Sequence, residues 1–219
     1  MENTPFLYYP VKDEIDQANL FGATSPMYAA LGQKGHPGLD FECKSGTPVY
    51  APCDGDAFYV TDEYGGCGLW IRTPNHTAPQ FNVILWHMYP KDTPGFPYSI
   101  STEQGVYTAV KAGMMLGYSD NSGFPKESNG PHLHLGVMPC EVRESDGAIT
   151  ALNPENGYEG CVDPTPYFNQ HYAQDIQAVE AVVASATTVV NNIAAAPEAT
   201  PSQKLDWLAE LAVLIEKLW

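Results

Sequence analysis

The sequence predicts a mainly β fold: an antiparallel β-sheet domain followed by an α-helical tail. Three observations predict it. Short β-prone runs succeed one another from Pro48 to Val137, with turn clusters between them. Glycine and proline are abundant at 19 each, and there are 13 tyrosines among the 219 residues, a composition suited to strands and tight turns. After about Tyr172 the composition shifts to an Ala- and Val-rich stretch with helical spacing.

Taken in chain order, residues 1–34 carry turn signals and few periodic segments, and read as an irregular lead-in that packs on the domain. The runs Pro48–Pro52, Asp56–Val60, Gly68–Arg72 and Phe81–Trp86 read as strands. Cys53-Asp54-Gly55, Tyr64-Gly65-Gly66 and Thr73-Pro74-Asn75 read as the turns between them. Such spacing predicts an antiparallel sheet with a second small sheet or a curled edge. The polar stretch Glu141–Glu159 reads as an excursion before the closing run Val162–Phe168, so the domain covers residues 35–172. A helix is expected over 173–196, where Ile176, Val179, Val183, Ala186, Val190 and Ile193 form a heptad seam. Ala196-Pro197 stops it, and residues 197–202 have linker composition. A second amphipathic helix is expected over 203–219, capped by Ser202, with Leu205, Leu208, Ala212, Ile215 and Trp219 on one face. These helices either pack back on their own domain or join copies of the chain in a helical bundle.

The bulk numbers exclude several classes. The formal net charge is −16 with only ten Lys plus Arg, so a nucleic-acid backbone would be repelled. The opening Met1-Glu2-Asn3-Thr4-Pro5 has neither the basic nor the apolar part of a secretory leader. The most apolar stretch, Ala178–Ala196, is interrupted by Glu180, Thr187, Thr188, Asn191 and Asn192, and no membrane span is expected. The five cysteines (Cys43, Cys53, Cys67, Cys140 and Cys161) contain no CxxC pair, and each reads as a buried thiol or one half of a disulfide.

Chemistry concentrates in two segments, Gly35-His36-Pro37-Gly38-Leu39-Asp40 and Gly130-Pro131-His132-Leu133-His134-Leu135-Gly136. His132 and His134 are two apart in a strand-like run, so their side chains share one face while Leu133 and Leu135 point to the core. Zinc takes imidazole nitrogen and carboxylate oxygen, and a catalytic site keeps three protein ligands with one position open. His36, Asp40, His132 and His134 offer four donors. If three bind, one histidine is left beside the metal. His87, at the end of the Val83–Trp86 run, is either a core residue or aimed into a cleft. His76, in a turn, and His171, at the domain's end, read as structural.

These motifs, in their order, resemble the M23 peptidases, the lysostaphin and LytM-like zinc endopeptidases. His36-Pro37-Gly38-Leu39-Asp40 matches HxGxD. Gly46–Gly55, Tyr64-Gly65, Leu85-Trp86-His87-Met88, Val110-Lys111-Ala112-Gly113 with Leu116-Gly117, and Gly130–His134 follow. The resemblance runs from about Gly35 to Val137, with a fainter tail to Asp163–Tyr167. It implies an M23 (LytM-like) peptidase domain with Zn2+ held by His36, Asp40 and His134, and with His87 and His132 as the catalytic pair. No HExxH helix is present, so no glutamate base of that kind is expected. The loop Asn121–Asn129 is longer than the family's usual turn, and Trp86 stands where the family varies among apolar residues.

The implied function is hydrolysis of peptide bonds in peptidoglycan stem or cross-bridge peptides. The competing readings are an inactive M23-like scaffold, structural in a virion or binding the cell wall, and a zinc hydrolase of other peptides. An enzyme acting at the bacterial cell wall without a visible leader is expected to be a trimmed fragment, a phage lysin released at lysis, or a phage tail component. The peptidase, closing run and short helical tail together are similar to phage-encoded members. Residues 173–219 are the expected contact for a homo-oligomer or a virion partner.

Overall fold

The computed structural model describes residues 6–74, 79–95, 98–126, 128–143, 145, 147–196 and 200–216. The readings made for Met1–Pro5, His76, linker residues 197–199 and Trp219 lie outside them. In chain order the elements are β1 (Leu7–Tyr9), α1 (Pro26–Ala30), β2 (Leu39–Phe41), β3 (Pro48–Tyr50), β4 (Gly55–Asp62), β5 (Gly66–Arg72), β6 (Gln80–Trp86), β7 (Thr108–Val110), β8 (Met115–Tyr118), β9 (Leu133–Val142), β10 (Ile149–Ala151), β11 (Phe168–Tyr172), α2 (Ala173–Ala195) and α3 (Pro201–Glu216).

The main sheet has seven strands in the order β10-β9-β6-β5-β4-β7, with β2 also paired to β9. Its pairings are antiparallel throughout. β3 and β8 form a second small antiparallel sheet. The strands read from the sequence therefore form, and the four runs from Pro48 to Trp86 coincide with β3 to β6.

Alternation along each strand builds the core. Leu133, Leu135 and Val137 on β9, Val83 and Leu85 on β6, and Leu69 and Ile71 on β5 are fully buried on one side of the sheet. Phe41, Val49, Leu116 and Met88 join them. The opposite face of β9 and β6 carries His134, Met138, Ile84 and Trp86. There Ile84 and Met138 pack in a smaller apolar cluster that takes in Cys140, Cys161 and Phe21.

Two stretches differ from expectation. The lead-in holds β1, which pairs in parallel with β11, and the short helix α1, capped by the Ser25 hydroxyl. Their sequences are too short to show a period: three residues and five. The Glu141–Glu159 excursion contains β10, which folds back on β9 with Ile149 opposite Val142 and so extends the sheet. All five cysteines are free, and four are buried.

Residues 1–173 form one compact unit and 174–219 another. In the second unit α3 is capped by Thr200 rather than Ser202. The Thr200 hydroxyl accepts from Gln203 N, and the Gln203 side-chain oxygen accepts from Thr200 N at 2.9 Å, a reciprocal capping box with Pro201 in the first turn. By length and composition alone α2 is long and apolar enough to cross a membrane. Two of the polar interruptions that argued otherwise are satisfied within the helix: the hydroxyls of Thr187 and Thr188, like that of Ser185, donate to the carbonyl four residues back.

Candidate metal centre

Strand register assembles the site. In the β2–β9 pair Asp40 lies directly opposite His134, and in the β6–β9 pair Trp86 lies opposite His134. Residues directly opposite in an antiparallel pair project from the same face about 5 Å apart. Asp40 and His134 are thus brought together by backbone pairing, from positions 94 residues apart. His36 stands on the turn entering β2. That turn passes so close to β9 that a Cβ on Gly38 would sit 2.4 Å from the Leu135 carbonyl oxygen and 2.7 Å from the His134 ring. Only a glycine lets the two segments approach this far.

Three donor atoms result: His36 Nε2, Asp40 Oδ1 and His134 Nδ1. Their separations are 2.9 Å (His36–His134), 3.2 Å (His36–Asp40) and 3.1 Å (His134–Asp40). A tetrahedral zinc with bonds of about 2.0–2.1 Å needs donors roughly 3.3 Å apart, so this near-equilateral triangle fits one face of such a site. All three residues are buried, and they are the group among the described residues whose donors could hold a metal ion together. Burial alone would raise the Asp40 carboxyl, but the hydrogen bonds from His134 and His36 outweigh it and hold Asp40 well below the usual carboxylate range. Burial lowers the His134 imidazole against the opposing pull of Asp40. A neutral imidazole and an ionised carboxylate are the forms that bind metal.

The other two imidazoles stand beside this triangle. The His132 and His87 rings lie 4.3 Å apart, and His132 Nε2 is 3.7 Å from Asp40 Oδ2. Each ring is oriented by a carbonyl. His132 Nδ1 donates to Gly130 O at 2.8 Å, and His87 Nδ1 donates to Ser122 O at 2.7 Å. A carbonyl can only accept, so Nδ1 carries the proton in both and Nε2 is left with a free lone pair. His87 closes β6 at φ 63°, a left-handed conformation uncommon for a residue with a Cβ. That turn swings the imidazole toward the site instead of continuing the strand's alternation. Burial, then the neighbouring His132 and His134, push His87 down to about 3.

The structure thus gathers all five expected residues, His36, Asp40, His87, His132 and His134, in one place. All five line a small cleft of about 50 Å³, and Asp40 and His132 also border a larger groove of about 810 Å³ whose walls include Asp16, Asn19, Tyr28, Glu42 and Asn129. His171 is exposed at the end of the domain, away from this set. Sequence reasoning missed Ser122, whose carbonyl orients His87 and whose hydroxyl donates to Met88 O at 2.7 Å. It also missed two residues of the lead-in: Asn19, whose amide donates to Asp40, and Tyr28, whose ring stacks on His36. A serine in a turn and an asparagine in an aperiodic stretch carry no spacing signal that could have singled them out.

The sheet, the HxGxD segment running into its edge strand β2 and the HxH pair at the start of β9 define a metallopeptidase architecture. The chain belongs to peptidase family M23: the profile of Peptidase family M23 matches residues 34–149. It is 28% identical over 129 residues to an uncharacterised metalloprotease of Haemophilus influenzae, covering 59% of this chain and 24% of that protein. The chain therefore spans about a quarter of the length of the curated relative it matches. Among solved structures it is similar to LytU, at 27% identity over 61% of this chain and 72% of that one, with a TM-score of 0.42. It is also similar to the catalytic domain of the antimicrobial peptidase lysostaphin from Staphylococcus simulans, at 20% identity over 74% and 87%, with a TM-score of 0.43.

Proposed function

We propose that this protein is a zinc-dependent endopeptidase that hydrolyses peptide bonds in peptidoglycan stem or cross-bridge peptides. The observation that carries it is the buried donor triangle of His36, Asp40 and His134 with two carbonyl-oriented imidazoles on one side. A zinc ion held by these three residues would polarise the scissile carbonyl and acidify a water molecule. His132 and His87 present Nε2 as proton acceptors. The imidazolium formed on accepting a proton has an N–H that can hold the developing oxyanion or protonate the leaving amine. Burial of the triangle limits competing water, and the open groove beside His132 gives an extended peptide room to lie along the site. The peptidoglycan substrate is supported by the family membership.

In this reading the enzyme acts at the bacterial cell wall, delivered in a phage tail or released at lysis. Residues 173–219 supply the contact with further copies or with a virion partner. The exposed seam residues Val183 and Val190 support that role.

The test is digestion of purified peptidoglycan from several wall types, with products read by mass spectrometry. New amino termini are expected with the wild type, and none with His134→Ala or with chelator. If zinc binds at one per chain yet no wall is cut, the substrate assignment fails. Cleavage that survives both controls would sink the metal mechanism.

A further inference from the structure

We propose that Asn19, in the segment that precedes the family region, is a positioning residue for the metal centre and sets two of its three donors. The inference rests on the reading of His36, Asp40 and His134 as ligands. Asp40 has two carboxylate oxygens with different tasks. Oδ1 faces His36 Nε2 and His134 Nδ1, whereas Oδ2 accepts from the side-chain amide Nδ2 of Asn19. The backbone carbonyl of the same Asn19 accepts from His36 Nδ1 at 2.8 Å. That bond places the His36 proton on Nδ1 and leaves Nε2 free to bind a metal.

The orientation of the Asn19 amide is itself fixed. The ionised Asp40 carboxylate can only accept, so the amide nitrogen faces Asp40 and the amide oxygen is left to accept from Tyr28 OH at 3.1 Å. Tyr28 is buried, and its ring stacks on His36 with centroids 5.5 Å apart. A relay from Tyr28 through Asn19 to Asp40 therefore locks one ligand, while the Asn19 backbone locks another. Both relay residues lie outside residues 34–149. The lead-in is then a working part of the centre, and the family region alone leaves Asp40 Oδ2 and His36 Nδ1 without these partners.

The test measures zinc affinity by competition with a chromogenic chelator, alongside urea unfolding of the metal-free protein. The set is wild type, His134→Ala, Asn19→Leu and Tyr28→Phe. Asn19→Leu keeps the volume and the backbone carbonyl but removes the donor to Asp40. Loss of such a partner typically weakens metal binding about 10–100-fold. Asn19→Leu is expected to show that loss with an unchanged unfolding midpoint, and Tyr28→Phe a smaller one. A purely structural role would shift the midpoint instead. Affinity within twofold of wild type in Asn19→Leu overturns the proposal while leaving the metal centre intact. If Asn19→Leu does not fold, Tyr28→Phe decides: weakened binding supports the relay, and unchanged binding overturns it. If the wild type itself takes up no zinc, the metal-centre reading falls and this inference falls with it.

Discussion

At the scale of single residues, His87 shows how far environment can move an ordinary side chain. The unfolded chain protonates it near 6.5, whereas the folded protein keeps it neutral down to about 3 because it is buried beside other imidazoles. The unfolded state therefore holds more protons between these values, so stability is full above about pH 6.5 and falls as the pH drops toward 3. The slope from one such group reaches about 1.4 kcal/mol per pH unit. His134, also lowered, acts in the same direction, and Asp40 adds its loss only at more acid pH. Urea unfolding of the metal-free protein from pH 7.5 to 4 is expected to show this decline and a shallower one in His87→Asn, a replacement that tolerates the left-handed backbone. An equal slope in both proteins would show that His87 titrates normally. The sequence marked His87 as a choice between core and cleft. It could not show φ 63° or the Ser122 carbonyl, because both depend on where a loop 35 residues away returns.

At the scale of elements, register is decisive. Asp40 meets His134 because β2 pairs with β9 in one register, and a slip of one residue would turn Asp40 toward the core and Phe41 toward the metal site. Gly38 keeps that register accessible. Gly38→Ala is expected to destabilise the protein by about 1–3 kcal/mol, the usual cost of overpacking, and to weaken metal binding as β2 is pushed off β9. Gly130→Ala is the control, since nothing lies within 4 Å of the added Cβ. Thermal unfolding and metal titration of the two variants check this, and equal behaviour would refute the close-approach argument. The strands from β3 to β6 were legible because alternation and turn chemistry are local. β1, β10 and β11 are defined by their partners, and only β10's pairing is with a neighbour in sequence.

For the whole molecule, the division after Ala173 separates a domain with a continuous core from two helices that leave Val183, Val190, Leu205, Leu208 and Val213 exposed. Ending the chain after Tyr172 is expected to preserve zinc binding and cost little stability, because β11 and its pairing with β1 stay whole. Mass measurement in solution should then find the full chain associated and the shortened chain monomeric. Two monomers would end the bundle proposal, and lost folding of the shortened chain would show that the tail completes the core.

The sequence by itself determined the fold class and marked His36, Asp40, His87, His132 and His134 as candidates, because alternation, turn residues and short motifs are written in neighbouring positions. Only the tertiary structure decided which oxygen of Asp40 faces the histidines, which nitrogen of each imidazole is free, and that Asn19, Tyr28 and Ser122 hold them. Those are matters of ångströms between segments far apart in the chain. They are settled by strand register and loop closure, which the order of residues encodes only through the folded whole.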